Sequence, residues 1–409
     1  MAPLPLFDVF DPAFRANPYP VYDRFRQADP VHRGRPPTPG LDGGWWYLFG
    51  YDDVAYVLKD PRFGRSIAPM LDEPPPPVPP EEREPFWDLY ARWTLALEPP
   101  DHTRQRALLN QAFTVRVVEA LRSRIEALAA ELLDGLSGGE AFDVVADYAF
   151  PLTLATICEL LGIPRDDHGR IKDWSLTIAA VLDYKRTWDV MAEGNRMALD
   201  FSTYLRGIAA ERRTSPRADL ITRLLAAADA DDRLSEDEVI SLCAMLLFAG
   251  HETTVNLISA GTLLLLEHPD AAARLRAEPA LMETAVEEFL RLHSPIQATS
   301  RYAYADAVIG GRSIRRGDSL TLLLGSANRD PAVFSEPDRL DIGRRPNRHL
   351  AFGRGIHFCL GAPLAVTQGG IALNCLLERF PRLRSGAPEP RWSETFGFRG
   401  LSQLAVESR

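Results

Sequence analysis

Residues 351–365 read Ala351-Phe352-Gly353-Arg354-Gly355-Ile356-His357-Phe358-Cys359-Leu360-Gly361-Ala362-Pro363-Leu364-Ala365, a lone cysteine in a glycine-rich turn that runs into a helix-forming segment. A cysteine just before a helix meets amide N–H groups and the positive end of the helix dipole, which stabilise its ionised form. The thiolate, not the thiol, is the soft metal ligand. The stretch therefore reads as a loop that holds a metal through sulfur. Gly353, Gly355 and Gly361 are expected to take positive φ or to let backbone approach a flat ligand, and Phe352 to shield the sulfur from water. An isolated cysteine is more often an inert core residue; the flanking glycines weigh against that here.

Upstream the patterning is mostly helical. Ser235 to His268 is the longest such pattern, about 45 Å at 1.5 Å per residue, and its middle reads Phe248-Ala249-Gly250-His251-Glu252-Thr253-Thr254. Polar residues from His251 to Asn256 interrupt it before about 18 apolar residues accumulate, so it is not read as a membrane span. From Asp101 to Ala228 the spacing predicts packed helices with breaks at Thr114, Ser137–Glu140, Gly162–Pro164 and Thr214–Pro216. A helix over Pro18–Arg26 and extended runs at Val31–Arg33 and Trp45–Phe49 open the chain. Runs at Ala307–Ile309, Ser313–Ile314 and Leu320–Leu324, separated by Gly310-Gly311 and Arg316-Gly317-Asp318, predict a small sheet. Pro69 to Pro80, with Pro74 to Pro77 consecutive, reads as a loop because proline lacks the amide donor.

Composition narrows the class. With 46% hydrophobic and 25% charged residues the chain is an ordinary globular one, and 46 Lys+Arg against 56 Asp+Glu, net −10, argues against nucleic acid as a partner. Met1 to Leu6 holds two prolines and no basic, apolar leader, so no membrane anchor is expected and the location is expected to be cytoplasmic. Four cysteines show no paired spacing; Cys158, Cys243 and Cys375 sit in apolar helical runs and read as core.

Two further constellations are polar. Glu288 and Arg291 stand three apart on one helical face, which on an exposed helix is worth only about 0.2–0.5 kcal/mol. His102 and Arg106 stand four apart just inside a helix that starts after Pro99-Pro100. Each alone would be a solvated polar face.

Together these stretches resemble the cytochrome P-450 family. Phe352, Gly353, Gly355, His357, Cys359, Gly361, Leu364 and Ala365 match its haem-binding signature; Val366 stands where the family usually has arginine. The resemblance covers nearly the whole chain and implies a mainly α, single-domain fold over residues 1–409, a triangular helical prism with a small β-rich region. It implies haem b (iron protoporphyrin IX) with Cys359 as the iron ligand. Phe352, Gly353, Gly361, Ala249 and Gly250 would lie against the macrocycle, and His102, Arg106, Arg301 and His357 would hold its carboxylates. Guanidinium suits that task because its donors form a rigid fork. Glu252 followed by Thr253 resembles the family's acid–alcohol pair, which relays protons to dioxygen without admitting bulk water. Glu288 and Arg291 resemble the Glu-x-x-Arg motif, with Arg339 as the third member of a buried ion network that fixes the run before the cysteine.

The implied activity is that of a soluble, bacterial-type haem-thiolate monooxygenase, an oxidoreductase inserting one oxygen atom of dioxygen into a hydrophobic small molecule by hydroxylation or epoxidation. A secondary metabolite such as a macrolide, terpenoid or cyclic peptide is the expected substrate class. The pocket would be lined by the Pro-rich loop, residues 164–188, Leu247, Ala249, Ile296–Thr299 and the turn near Phe398. Electrons would come from a ferredoxin and its reductase, with an acidic ferredoxin docking on Arg344, Arg345, Arg348 and Arg354. Oxidative coupling or another non-insertion oxidation on the same haem is the alternative, and a non-catalytic haem sensor or carrier a second one.

Overall fold

The computed structural model describes residues 4, 7–36, 45–70, 84–136, 141–183, 187–231 and 234–408. The expected break at 137–140, most of the Pro-rich stretch and residues 184–186 of the expected pocket lining fall outside them. Along the chain the elements are α1 (Pro12–Ala16), α2 (Tyr19–Ala28), β1 (Val31–Gly34), β2 (Trp45–Leu48), α3 (Tyr51–Val57), β3 (Phe63–Gly64), α4 (Pro85–Tyr90), α5 (Asp101–Ala112), α6 (Val115–Gly135) and β4 (Ala141–Asp143). A π-helical turn, Val144–Ala149, then leads into α7 (Phe150–Leu161), α8 (His168–Leu182), α9 (Trp188–Thr214), α10 (Leu220–Asp231), α11 (Glu236–Glu267), α12 (Pro269–Ala277) and α13 (Met282–Leu292). The remainder is β5 (Ala298–Ala303), β6 (Ala307–Ile309), β7 (Arg312–Ile314), β8 (Ser319–Leu323), α14 (Leu324–Ala327), α15 (Ala362–Arg379), β9 (Arg384–Ser385), β10 (Arg391–Trp392), β11 (Leu401–Gln403) and β12 (Ala405–Glu407). Helix thus dominates, as the patterning predicts.

Contacts group the chain into two compact units. One comprises Met1–Met70, Arg122–Phe150 and Thr253–Arg409, the other Leu71–Leu121 and Pro151–Glu252. In the first, a five-stranded sheet runs β1-β2-β8-β5-β3. β2 pairs in parallel with β8, Trp46 opposite Leu320, while the other neighbours are antiparallel. Its core is the apolar set Leu48, Val54, Phe63, Ile314, Leu320 and Leu322, all buried. Burying a side chain of this size is worth about 1.5–3 kcal/mol. The β6–β7 hairpin turns on Gly310 and Gly311, both at positive φ (51° and 76°), as a two-residue turn matched to strand twist requires.

In the second unit α8 packs on α9. Gly194 of α9 lets Val181 approach so closely that a Cβ there would lie 2.5 Å from its Cγ2, and Trp174 meets Phe201 edge to face at 5.0 Å. α9 starts at Thr187, whose Oγ1 accepts from Val190 N at 3.3 Å, and ends with Arg212 and Arg213 against the negative end of its dipole. Ser235 and Glu238 form a reciprocal cap for α11: Glu238 N donates to Ser235 Oγ at 3.2 Å, and Ser235 N to Glu238 Oε2 at 2.8 Å. Val144–Leu161 and Glu236–Glu267 are long and apolar enough to cross a bilayer, but 72% of each apolar window is buried inside the protein, as in core helices.

Candidate functional site

Gly353 (φ 68°) and Gly355 (φ 76°) turn the chain before Cys359. Gly355 presses so hard on the Leu58 carbonyl that a Cβ would lie 2.4 Å from its oxygen. Gly361, by contrast, has an ordinary φ of −82° and is the N-cap of α15, so its expected positive φ is not found. Cys359 precedes that cap by two residues, and its N–H donates to Phe352 O at 3.0 Å. Sulfur therefore sits on the N-terminal side of an 18-residue helix, in the field that favours thiolate. Cys359 is half-buried, whereas burial pushes the Cys158 and Cys243 thiols up to about 12 and Cys375 to about 11. Those three are protonated bystanders. His357 stands in a one-turn 3₁₀ segment, Gly355–His357, two residues before the sulfur.

The run into this loop is tied to α13. Glu288 is wholly buried and accepts from Arg291 Nε at 2.7 Å and Nη2 at 2.8 Å, a bidentate pair. The third cation is Arg344, not Arg339. Arg344 Nε lies 3.0 Å from Glu288 Oε1 with its side chain 10% exposed, while Arg339 pairs with Glu336 at 3.2 Å, both 62% exposed. Arg339 joins the network only through its backbone oxygen, which Arg291 Nη2 reaches at 3.4 Å. Asn347 Nδ2 and Asp341 N complete the shell around the carboxylate.

On α11, Ser241 to Phe248 are all buried, yet Ala249 is exposed and Glu252 and Thr253 are half-buried. Spaced at i, i+3 and i+4, these three share one helix face, open in the middle of a helix whose other exposed residues, Asp237 and Glu267, lie at its ends. Gly250 beside them is half-buried and also packs on α7: a Cβ there would meet Ile157 Cδ1 at 2.7 Å. Burial raises the pKa of the Glu252 carboxyl, which therefore keeps a proton to higher pH than an ordinary glutamate. His251 is fully buried; its Nδ1 donates to Leu247 O at 2.7 Å and its Nε2 accepts from Ser175 Oγ at 2.8 Å. Burial, partly offset by the Leu247 bond, brings its pKa down to about 4.

Arg301 is buried in β5, and its Nη1 donates to Thr299 Oγ1 at 3.2 Å and to Ser300 O at 2.7 Å. Arg65, which the motifs do not mark, donates to the same Thr299 hydroxyl at 2.6 Å. The edge strand β3 brings it there by pairing Gly64 with Tyr302. In the second unit His102 is buried and Arg106 half-buried one turn further along α5. Burial, then the charge of Arg106, lowers the His102 pKa. Between them Gln105, fully buried, accepts from Thr94 Oγ1 at 2.8 Å and donates to Glu238 at 3.1 Å. Of the expected pocket stretches, Ile296 and Phe398 are brought together in an antiparallel bridge, and Gln297 N donates to Gly397 O at 2.9 Å.

A thiol at a helix start and buried guanidinium are the donor set that a flat iron macrocycle with carboxylate edges requires, so the residues fit haem. The family model described as Cytochrome P450 matches residues 184–398. The biotin biosynthesis cytochrome P450 of Bacillus subtilis is 40% identical over 396 residues, 96% of each chain. The 6-deoxyerythronolide B hydroxylase of Saccharopolyspora erythraea is 37% identical over 409 residues, 98% of each chain. Among solved structures, P450BioI in complex with an acyl carrier protein ligated to hexadec-9Z-enoic acid superposes with a TM-score of 0.88, at 40% identity, covering 97% of this chain and 100% of that one.

Proposed function

Because this chain belongs to the cytochrome P450 family of haem b oxidoreductases, we propose that it inserts one oxygen atom of dioxygen into a hydrophobic small molecule, with Cys359 as the iron ligand. The observation that carries this reading is the Cys359 loop, with its sulfur at the start of α15 and its amide bonded to Phe352 O. By the family resemblance Arg301, His357, His102 and Arg106 are the residues that would hold the macrocycle's carboxylates. The haem supplies the binding and reductive activation of dioxygen. Glu252, protonated to raised pH by its burial, holds a proton in reserve, and Thr253 Oγ1, the next residue, hands one on to the oxygen substrate and is recharged. The open Ala249 face gives an apolar ligand access to the helix backbone.

Electrons come, in this reading, from a ferredoxin that docks beside the cysteine loop in the cytoplasm. Arg345, Arg348 and Arg354 are exposed, as are Ile356 and Phe358 at 51% and 44%, so this stretch of chain offers both the charge and the apolar surface that such a partner would use. Arg344 drops out of the docking set because it is spent on Glu288. A secondary metabolite remains the favoured substrate. The acyl carrier complex of the 40% identical relative also supports testing carrier-bound acyl chains. The first experiment is the ferrous carbon monoxide difference spectrum of the purified holoenzyme: a strongly red-shifted Soret band is expected, and haem bound without that shift would remove Cys359 as ligand.

A further inference from the structure

The backbone that leads into the glycine turn is held by side chains before it reaches Gly353. Leu350 N donates to Asn328 Oδ1 at 2.6 Å, and Ala351 N donates to His349 Nδ1 at 3.2 Å. The other ring nitrogen, Nε2, lies 2.5 Å from Glu287 Oε2. These two contacts assign the ring's proton. An amide N–H can only donate, so Nδ1 is the bare nitrogen; Nε2 then carries the hydrogen that the carboxylate accepts. The imidazole side chain is 3% exposed and Glu287 36%, so the bond to the carboxylate is sheltered at one end only.

A carboxylate on one nitrogen of an imidazole orients the ring and makes the other nitrogen a stronger acceptor, as it does behind metal-bound histidines. Here the strengthened nitrogen holds Ala351 N, one residue before the carbonyl that receives the Cys359 N–H at 3.0 Å. The same ring lies 5.8 Å from the Phe352 ring, which in turn meets Phe358 edge to face at 6.3 Å. α13 therefore grips the chain with two successive glutamates: Glu288 takes Arg344 and Asn347, and Glu287 takes His349.

We propose that Glu287 and His349 are a positioning dyad for the cysteine loop: the buried imidazole, aimed by Glu287, fixes Ala351 and Phe352 so that the Phe352 carbonyl stays on the Cys359 amide. The dyad touches neither sulfur nor substrate and acts through Ala351 and Phe352. This inference rests on the reading of Cys359 as haem ligand.

Three holoenzyme variants test it. His349→Leu keeps bulk but removes both ring nitrogens. His349→Asn keeps an acceptor for the amide two residues on, as in an Asx turn, but is too short to reach Glu287. Glu287→Gln keeps an acceptor and removes the charge. Two quantities are read: the rate at which the red-shifted carbon monoxide Soret band gives way to the unshifted one in mild denaturant, and hydrogen exchange of the peptide spanning residues 350–359. Losing the acceptor for Ala351 N as well as the Glu287 bond should speed band conversion about tenfold in His349→Leu and raise exchange. His349→Asn, which keeps the acceptor but loses Glu287, and Glu287→Gln, which keeps the ring but weakens its aim, should each fall between His349→Leu and the parent. Parental rates and exchange in His349→Leu would overturn the proposal, since the ring would then merely fill space, and so would parental values in Glu287→Gln, since the ring would then need no aiming. If His349→Leu does not fold, Glu287→Gln decides: unchanged rate and exchange overturn the dyad. A parent lacking any red-shifted band would sink the haem-thiolate reading separately, and exchange at 350–359 would still decide whether the dyad holds the loop.

Discussion

At pH 7 the His251 ring is neutral inside α11, and it stays neutral down to about pH 4 because burial penalises its cation. In the unfolded chain the same ring protonates near its ordinary 6.5. Between those values the unfolded state binds more protons, so stability falls as pH falls from 6.5 toward 4, by about 3 kcal/mol when complete. His102, His168 and His293 are depressed in the same direction, with burial again the first cause. Urea titrations at stepped pH should therefore steepen below 6.5, and His251→Gln should remove about one proton of that slope; an unaltered slope would contradict the neutral buried ring. Thr253→Ala should lower product formed per dioxygen consumed by about tenfold or more while leaving the carbon monoxide band intact; unchanged coupling would favour a non-insertion oxidation. Glu252 and Thr253 were singled out by the family resemblance, and the structure leaves both half-buried on one face of α11. The Ser175 partner of His251, 76 residues away, leaves no mark in the local pattern.

Single elements separate what spacing can and cannot reveal. Helix bounds follow apolar period and caps, so the run from Ser235 to His268 is realised as Glu236–Glu267 and Ala307–Ile309 is a strand with those ends. Two-residue β3 is too short to carry a period, and Arg65 beyond it went unread for that reason. The ion network was legible on α13, where the i, i+3 rule brings Glu288 to Arg291. Its third member was not, because the irregular chain from 334 to 347 decides which arginine reaches back. Arg344→Ala strips a cation from a wholly buried carboxylate and should cost about 3 kcal/mol, the low end of the range because Arg291 remains. Arg339→Ala should cost under about 1 kcal/mol, as exposed pairs do. Equal losses in chemical denaturation would reverse that assignment. In the same loop Gly355→Ala combines a positive φ with a Leu58 carbonyl in the way and should destabilise by more than about 1 kcal/mol.

For the molecule as a whole, net charge and cysteine spacing bounded the class, and the family resemblance supplied the haem; neither indicated how distant segments pair. Charge reversal at Arg345, Arg348 and Arg354 together should slow reduction by an acidic ferredoxin about tenfold or more and flatten its salt dependence, while the same change at Arg339 should do little. A reduction rate indifferent to all three would move the docking face elsewhere. The parallel pairing of β2 with β8 also bears on the order in which a ribosome delivers the parts. Trp45, Trp46, Tyr47 and Leu48 leave the tunnel about 270 residues ahead of the strand that covers their edge. At bacterial elongation speeds of roughly 5–20 residues per second, the β1–β2 hairpin waits roughly 15–55 s with an aromatic, unpaired edge. Ribosome-stalled chains that stop short of Ser319 should therefore be cut by protease within residues 45–48, and chains long enough for Leu323 to have left the tunnel should not. The cell meets this protein first as a sticky hairpin awaiting a strand about four-fifths of the way along the chain, and chaperone demand during synthesis follows from sheet topology before any cofactor is involved.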